Sequence, residues 1–212
     1  MTTSTETDLE FVYVGDPMCS WCWGFAPVLE HLSEHYEIPV RVVCGGLRPG
    51  PSAEPIENIR DSLAHHWHQV AERSGQPFDH AALERDGWIY DTELPCTAVV
   101  VMRRMSEPET LEFFVRLQRA FYAEKIDVTD PEAYPQLLEG FSVDTSEFME
   151  LLTSEEMKRA AWEDFAEARS LSATGFPTLL LRRSAGYVVV TRGYIPWEPL
   201  RDALDQWMQD EL

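Results

Sequence analysis

Two cysteines separated by two residues, Cys19 and Cys22 in "DPMCSWCWGF", are the feature of this sequence with the clearest chemistry. A CxxC pair can bind a metal, brace a fold or exchange electrons as a dithiol and a disulfide. A structural zinc site needs four ligands, and the two other cysteines, Cys44 and Cys96, stand alone in the sequence. We therefore predict a redox role for the pair and no metal.

The histidines of "HHWH", His65, His66 and His68, are the other candidate metal ligands, with Glu72 nearby. His65 and His68 share one face of a predicted helix, which is a spacing that a metal could use. Nothing in the sequence brings these side chains to the CxxC pair. We expect them to be solvated.

The elements around the CxxC pair place Cys19 at the start of a helix. "LEFVYV" (9–14) predicts a short strand that ends at "GDP", and apolar residues with helical spacing follow from Cys19 to about Tyr36. Free backbone N–H groups and the helix dipole stabilise a thiolate at such a position. Cys19 would then attack a substrate disulfide, and Cys22, one turn later, would resolve the mixed disulfide.

The remaining elements indicate a strand–helix domain with a large insertion. "IPVRVVC" (38–44) predicts a second strand, and a strand–helix–strand order implies parallel pairing through a crossover helix. Residues 54–172 have helical patterns and no convincing strand, whereas 178–192 reads as a hairpin and 197–208 as a last helix. We predict an α/β fold with one domain formed by 9–53 and 173–212 and an inserted all-helical domain at 54–172.

The composition describes an acidic globular protein. The formal charge of −20 comes from 37 Asp and Glu against 17 Lys and Arg, and it argues against binding to nucleic acid or anionic membranes. The first ten residues carry no secretory signal pattern, and no stretch approaches the length of a membrane helix. We expect a protein of the reducing cytoplasm, where structural disulfides are rare.

Several segments resemble one known family. The strand–CxxC–helix order resembles the thioredoxin superfamily, in which a proline also occurs where Pro27 lies here. "GGLRPG", "SGQPF", "YDTELPC", "AFYAEKIDVTDPE" and "GFPTLLL" extend the resemblance over nearly the whole chain. They resemble the DsbA-like branch, and within it the cytosolic FrnE-type and predicted disulfide-isomerase members.

This resemblance implies a thioredoxin-like fold (β-α-β … β-β-α) with a large helical insertion, and a thiol–disulfide oxidoreductase or isomerase. It implies no cofactor beyond the redox-active disulfide. Glutathione or another low-molecular-weight thiol is the candidate co-reactant. Protein or small-molecule thiols and disulfides are the implied partners.

Pro177 in "TGFPT" matches the cis-proline that faces the active cysteine in thioredoxin-like proteins. A cis bond there would turn the backbone of Phe176 outward, so that Phe176 offers backbone groups and an apolar face to a substrate peptide. The alternative is an ordinary trans proline at the start of a strand. Trp21 is expected to be exposed and to belong to an apolar docking rim, whereas Trp23 is expected in the core.

Two further residues are auxiliary candidates. Asp16 could relay protons, although capping of the helix region or turn formation with Pro17 is the favoured interpretation. Cys96 lies, in the resembling proteins, across from the active site, where a third thiol could trap or sense oxidation. A small buried residue is the commoner explanation for such a cysteine, and Cys44 is expected to be an inert core thiol.

The sequence departs from the family pattern inside the motif, where Ser20 and Trp21 replace the Pro-His of DsbA itself. Without the histidine one source of thiolate stabilisation is lost, so we expect a less oxidising pair than that of DsbA.

Two alternative function classes stay open. Glutathione-dependent kappa-class transferases and hydroxychromene-carboxylate isomerases share this fold, but they generally activate glutathione with a serine and need no second cysteine. The other class is a non-catalytic binding protein that uses the helical block as an apolar groove.

Overall fold

A four-stranded sheet forms the centre of the computed structural model, which describes residues 9–211. The first eight residues, part of the segment without a secretory signal pattern, lie outside this range. The strands are β1 (Glu10–Gly15), β2 (Val40–Cys44), β3 (Glu54–Pro55), β4 (Ile89–Tyr90), β5 (Thr178–Arg183) and β6 (Gly186–Arg192). The order in the central sheet is β2-β1-β5-β6, with β1 parallel to β2 and antiparallel to β5.

The described part of the chain also contains eight α-helices. They are α1 (Ser20–His35), α2 (Ile56–Ser74), α3 (Glu93–Met105), α4 (Thr110–Tyr122), α5 (Tyr134–Leu137), α6 (Thr145–Leu152), α7 (Glu155–Ser170) and α8 (Trp197–Glu211). None of them is both long and apolar enough to cross a membrane. The predicted order of strand, helix, strand, helical block, hairpin and helix is confirmed.

Strand β1 is buried on both faces because it lies between β2 and β5 with helices above and below. Its side chains alternate between the two faces. Tyr13 points to the face covered by α1 and α4, where it packs against Phe25 and Phe114. Val12 and Val14 point to the other face, in a cluster that includes Ala168 of α7. The end of β1 is therefore held rigidly where the CxxC loop begins.

The insertion is helical apart from one short ladder that the sequence analysis did not predict. Strands β3 and β4 pair antiparallel, with Glu54 opposite Tyr90 and Pro55 opposite Ile89. Two-residue strands are too short to create an alternating pattern, which explains why the sequence did not indicate them. Within the helical insertion, residues 131–137 form only a 3₁₀ turn (Pro131–Ala133) and the one-turn helix α5. The domain boundaries at 54 and 172 stay a prediction.

Candidate active site

Cys19 is the residue that immediately precedes α1. Its backbone is extended (φ −90°, ψ 116°), and its carbonyl oxygen accepts hydrogen bonds from the N–H groups of Cys22 (3.0 Å) and Trp23 (3.1 Å). The residue is 7% exposed, and its sulfur lies 3.8 Å from the carbonyl oxygen of Phe176. The structure thus places this thiol at a helix N-terminus, with a narrow opening to solvent.

Cys22 lies one turn further into α1 and is fully buried. Burial raises the pKa of the Cys22 thiol well above its ordinary value, and a hydrogen bond with Cys19 raises it further. The neighbouring Tyr13 hydroxyl lowers the pKa of Cys22 and so opposes this shift. All four cysteines are free thiols. The two cysteines of the motif therefore differ in access to solvent, because only Cys19 reaches the surface.

The loop that precedes β5 faces Cys19. The peptide bond between Phe176 and Pro177 is cis, and Pro177 is buried while Phe176 is half-buried. The Phe176 ring fills the space where Gly45 lacks a side chain, since a Cβ on Gly45 would lie 2.1 Å from the ring. The loop is also tied to the end of β6, because the Gly193 N–H donates to the Pro177 carbonyl oxygen at 2.7 Å.

Asp16 is a fully buried carboxyl that links three segments around the CxxC loop. One oxygen, Oδ1, accepts from the Met18 N–H at 2.9 Å, and Oδ2 accepts from the Leu47 N–H at 2.7 Å and the Cys96 thiol at 3.4 Å. Burial raises the pKa of the Asp16 carboxyl, although these hydrogen bonds and one with Thr92 oppose that shift. The Asp16 carboxyl thus accepts from Met18 within the turn rather than from an N–H of α1, and its bonds to Leu47 and Cys96 are long-range contacts that the sequence did not indicate.

Two further segments, the loop after β2 and the segment that leads into α3, support the same loop. The Tyr90 hydroxyl donates to the Met18 carbonyl oxygen, and Arg48 and Thr92 exchange two hydrogen bonds of 3.1 Å. The segments "GGLRPG" and "YDTELPC" therefore meet beside the CxxC loop. Cys96, at the first turn of α3, is fully buried there, and Cys44 is also fully buried.

Tyr13 is a site residue that the sequence analysis missed. Its hydroxyl is buried next to the Cys22 thiol and has no hydrogen bond of good geometry. Burial, and then Cys22, raise the pKa of this phenol well above its ordinary value. A Cβ on Gly15 would lie 2.7 Å from the Tyr13 hydroxyl oxygen. The sequence feature that could have indicated Tyr13 is Gly15, which lies two residues further along β1 on the same face and leaves room for the Tyr13 hydroxyl.

Trp21 lies at the surface between the two cysteines, and it is half-buried rather than exposed as expected. Its ring packs against Tyr194, with the centroids 5.8 Å apart, and under the guanidinium of Arg73, 5.4 Å from the ring centroid. Trp23 is buried, as expected, and its indole N–H donates to the Pro77 carbonyl oxygen at 3.0 Å.

The histidines of α2 do not approach the cysteines. His65, His66 and His68 are exposed; His65 contacts Gln69 at 2.9 Å, and His68 contacts Glu72 at 3.2 Å. Among residues 9–211, no three His, Cys, Asp or Glu side chains form a group that could hold a metal ion.

Comparison with known proteins gives consistent results. Residues 11–205 match the DSBA-like thioredoxin domain. A candidate protein disulfide isomerase from Nitrosomonas europaea is 34% identical, with a TM-score of 0.86 over 96% of this chain and 99% of the other. The cytosolic disulfide reductase DsbM from Pseudomonas aeruginosa is 25% identical, with a TM-score of 0.80 over 94% of this chain and 98% of DsbM.

DsbM has also been solved with GSH, in a structure 23% identical to this chain with a TM-score of 0.77, over 94% of this chain and 99% of that one. The ClpXP adapter protein SpxH of Bacillus subtilis is 24% identical over 174 residues, which are 81% of this chain and 57% of the adapter. The chain thus spans less than two thirds of that relative's length. Since the family match covers nearly all of the described residues, the chain belongs to the DSBA-like thioredoxin domain family.

Proposed function

We propose that the protein catalyses thiol–disulfide exchange, with Cys19 as the nucleophile and Cys22 as the resolving thiol. The observation that carries this proposal is the asymmetry of the pair. Cys19, at the helix N-terminus, keeps a residual exposure of 7%, whereas Cys22 is fully buried and its pKa is raised well above its ordinary value. Because the thiolate is the reactive form, this arrangement favours attack by Cys19 and a later, internal step by Cys22.

The exchange is balanced within the pair. The Cys19 thiolate attacks one sulfur of a substrate disulfide, so that a mixed disulfide forms and one substrate thiolate leaves. The Cys22 thiolate then attacks the Cys19 sulfur, which forms the Cys19–Cys22 disulfide and releases the second thiolate. The two thiol protons of the pair end on the two released sulfurs, and two electrons pass from the protein to the substrate.

We propose Phe176, Pro177 and Trp21 as the residues that contact the substrate. The carbonyl oxygen of Phe176 lies 3.8 Å from the Cys19 sulfur, so a peptide joined to that sulfur runs beside this backbone group. The half-buried rings of Phe176 and Trp21 supply apolar surface near the sulfur. Asp16 and Cys96 do not reach the surface, and we assign them a supporting role beneath the loop.

The reaction partners proposed here are protein or small-molecule thiols and disulfides, and the proposed compartment is the cytoplasm. The similarity to a cytosolic disulfide reductase, which has also been solved with GSH, supports both proposals. A redox-active disulfide needs no further cofactor, so glutathione or another low-molecular-weight thiol would act as a co-reactant. The charge of −20 argues against nucleic acid and anionic membranes as partners.

Replacing Cys22 with Ala tests the proposal, because the substrate then stays bonded to Cys19. Under mild oxidation we expect Cys22→Ala to accumulate mixed disulfides with glutathione or protein thiols, detected by intact mass and reversed by reductant. Cys19→Ala should accumulate none. Cys44→Ala is the matched control, because Cys44 is also fully buried but lies outside the motif. It should behave as the wild type.

A Cys22→Ala protein that forms no adduct would contradict the oxidoreductase. Intact turnover of a glutathione-dependent isomerase or transferase substrate by the same variant would instead favour that class. A wild-type pair that neither reduces insulin nor takes up a disulfide would favour a binding role, the class to which the SpxH adapters belong. The reduction potential of the pair, measured together with insulin reduction, separates these cases.

A further inference from the structure

An exposed arginine lies on the surface next to the CxxC pair. Arg73 is in the last turn of α2, and its guanidinium carbon lies 5.4 Å from the Trp21 ring centroid and 6.0 Å from that of Tyr194. The Tyr194 hydroxyl also donates to the Arg73 backbone carbonyl oxygen at 3.1 Å. Two aromatic faces therefore hold the guanidinium in one place through cation–π contacts.

No carboxylate of the described residues pairs with this guanidinium, although acidic residues outnumber basic ones by 37 to 17. Several other arginines are bound to carboxylates; for example, Arg41 pairs with Glu167 and Arg103 with Asp164, each at 2.7 Å. An arginine presents five N–H donors in a planar fork that fits a carboxylate. The N–H donors of the Arg73 guanidinium therefore remain available to a ligand.

The position of this cation relates it to the exchange reaction. Trp21 stands between Cys19 and Cys22 in the chain, and Tyr194 follows Gly193, whose N–H binds the Pro177 carbonyl oxygen. The guanidinium thus lies along the surface that joins the CxxC helix to the loop facing Cys19. A small molecule bonded to the Cys19 sulfur could extend over this surface.

We propose that Arg73, held by Trp21 and Tyr194, recognises a carboxylate of a low-molecular-weight thiol or its disulfide, of which glutathione is the type. This inference rests on the proposed function and names the substrate class of the same site. A small thiol with one or two carboxylates fits better than an acidic protein, because an acidic protein would bring many charges against a surface of charge −20.

The chemical step is thiol–disulfide exchange between the reduced CxxC pair and glutathione disulfide. The reduced pair and glutathione disulfide give the Cys19–glutathione mixed disulfide and one glutathione. Attack by Cys22 then gives the Cys19–Cys22 disulfide and a second glutathione. Arg73 takes no part in bond exchange; it is proposed to bind a carboxylate of the incoming disulfide, with charge-assisted hydrogen bonds.

The test compares disulfides that differ in charge. The rate of oxidation of the reduced wild-type protein is measured with glutathione disulfide, with neutral 2-hydroxyethyl disulfide and with cationic cystamine. Arg73→Gln should slow the reaction with glutathione disulfide about tenfold, which is the effect of losing one charge-assisted contact. It should leave the neutral disulfide nearly unchanged and should not slow cystamine. Arg73→Lys should retain part of the rate.

Arg169→Gln is the matched control, because Arg169 is also an exposed arginine in the last turn of a helix, α7. Glu167 of that turn pairs with Arg41 near the start of β2, at the end of the sheet away from the cysteines. The control removes the same charge and should change none of the three rates appreciably.

An unchanged preference for glutathione disulfide in Arg73→Gln, with exchange otherwise intact, would overturn this inference and leave the proposed function standing. An equal loss in Arg169→Gln would also overturn it, because the effect would then come from net charge alone. A wild-type protein that exchanges with none of the three disulfides would overturn the proposed function and this inference with it.

Discussion

Replacing Gly45 with Ala tests how the loop facing Cys19 is positioned. A Cβ at Gly45 would lie 2.1 Å from the nearest carbon of the Phe176 ring and 2.2 Å from the next. Carbon atoms in contact are about 3.5–4.0 Å apart, so the ring must move by roughly 1.4 Å. The backbone of Gly45 is outside the left-handed region, so an alanine there adds no conformational strain of its own.

Overpacking of this kind costs about 1–3 kcal/mol in a core. Phe176 is half-buried and can relieve part of the overlap by moving outward, so we expect a loss of about 1–2 kcal/mol in the free energy of unfolding. That loss corresponds to a change of about 5- to 30-fold in the ratio of folded to unfolded protein. The ring's movement would also shift the Phe176 carbonyl group relative to Cys19, and exchange should slow.

The assay is urea denaturation of four proteins: the wild type, Gly45→Ala, Phe176→Ala and the double variant. When the ring is absent, the alanine should cost nothing, and it could stabilise by about 0.4–1 kcal/mol through the unfolded state. We therefore expect a coupling energy of at least about 1 kcal/mol between the two positions. An equal cost of Gly45→Ala with and without the Phe176 ring, or no cost at all, would refute the packing argument.

Three further predictions concern the residues around the motif. Iodoacetamide should modify Cys19 before Cys22 in the reduced protein near neutral pH, because Cys22 is fully buried with a raised pKa; peptide mapping that finds Cys22 labelled first would reverse the roles. Tyr13→Phe removes a hydroxyl that lowers the pKa of Cys22, so the pH profile of mixed-disulfide release should move to higher pH with little change in stability. The same pH profile in Tyr13→Phe and wild type would show that the Tyr13 hydroxyl does not lower the pKa of Cys22. The raised pKa of Asp16 means that the folded state binds its proton more tightly, so the wild type should gain stability relative to Asp16→Asn as the pH falls through that pKa. Parallel stability curves from pH 8 to pH 4 would exclude this linkage.

The parts of the fold that the sequence predicted depend on residues near each other in the chain. The strand before Cys19, the breaker at "GDP", the helix that follows and the hairpin after Pro177 all carry their own periodicity or turn residues. The CxxC spacing also places its two cysteines one helical turn apart. These local patterns were sufficient to place Cys19 and Cys22 at the start of α1.

The contacts that complete the candidate site join residues far apart in the chain. Asp16 binds Leu47, 31 positions later, and Cys96, 80 positions later, while Phe176 faces Cys19 from 157 positions away. Such pairs leave no local period, because each depends on how the sheet, the loop after β2 and the insertion pack. The β3–β4 ladder also joins distant residues, and its two-residue strands are too short to leave a period of their own.

The sequence by itself determined the CxxC pair at a helix start, the order of the elements and the acidic charge, because these follow from residue type and spacing. Only the tertiary structure decided which thiol reaches solvent and that Tyr13 lies next to Cys22. It also decided that Trp21 is half-buried beneath Arg73. Burial, and the meeting of side chains from separate elements, are properties of the packed chain, and no local pattern encodes them.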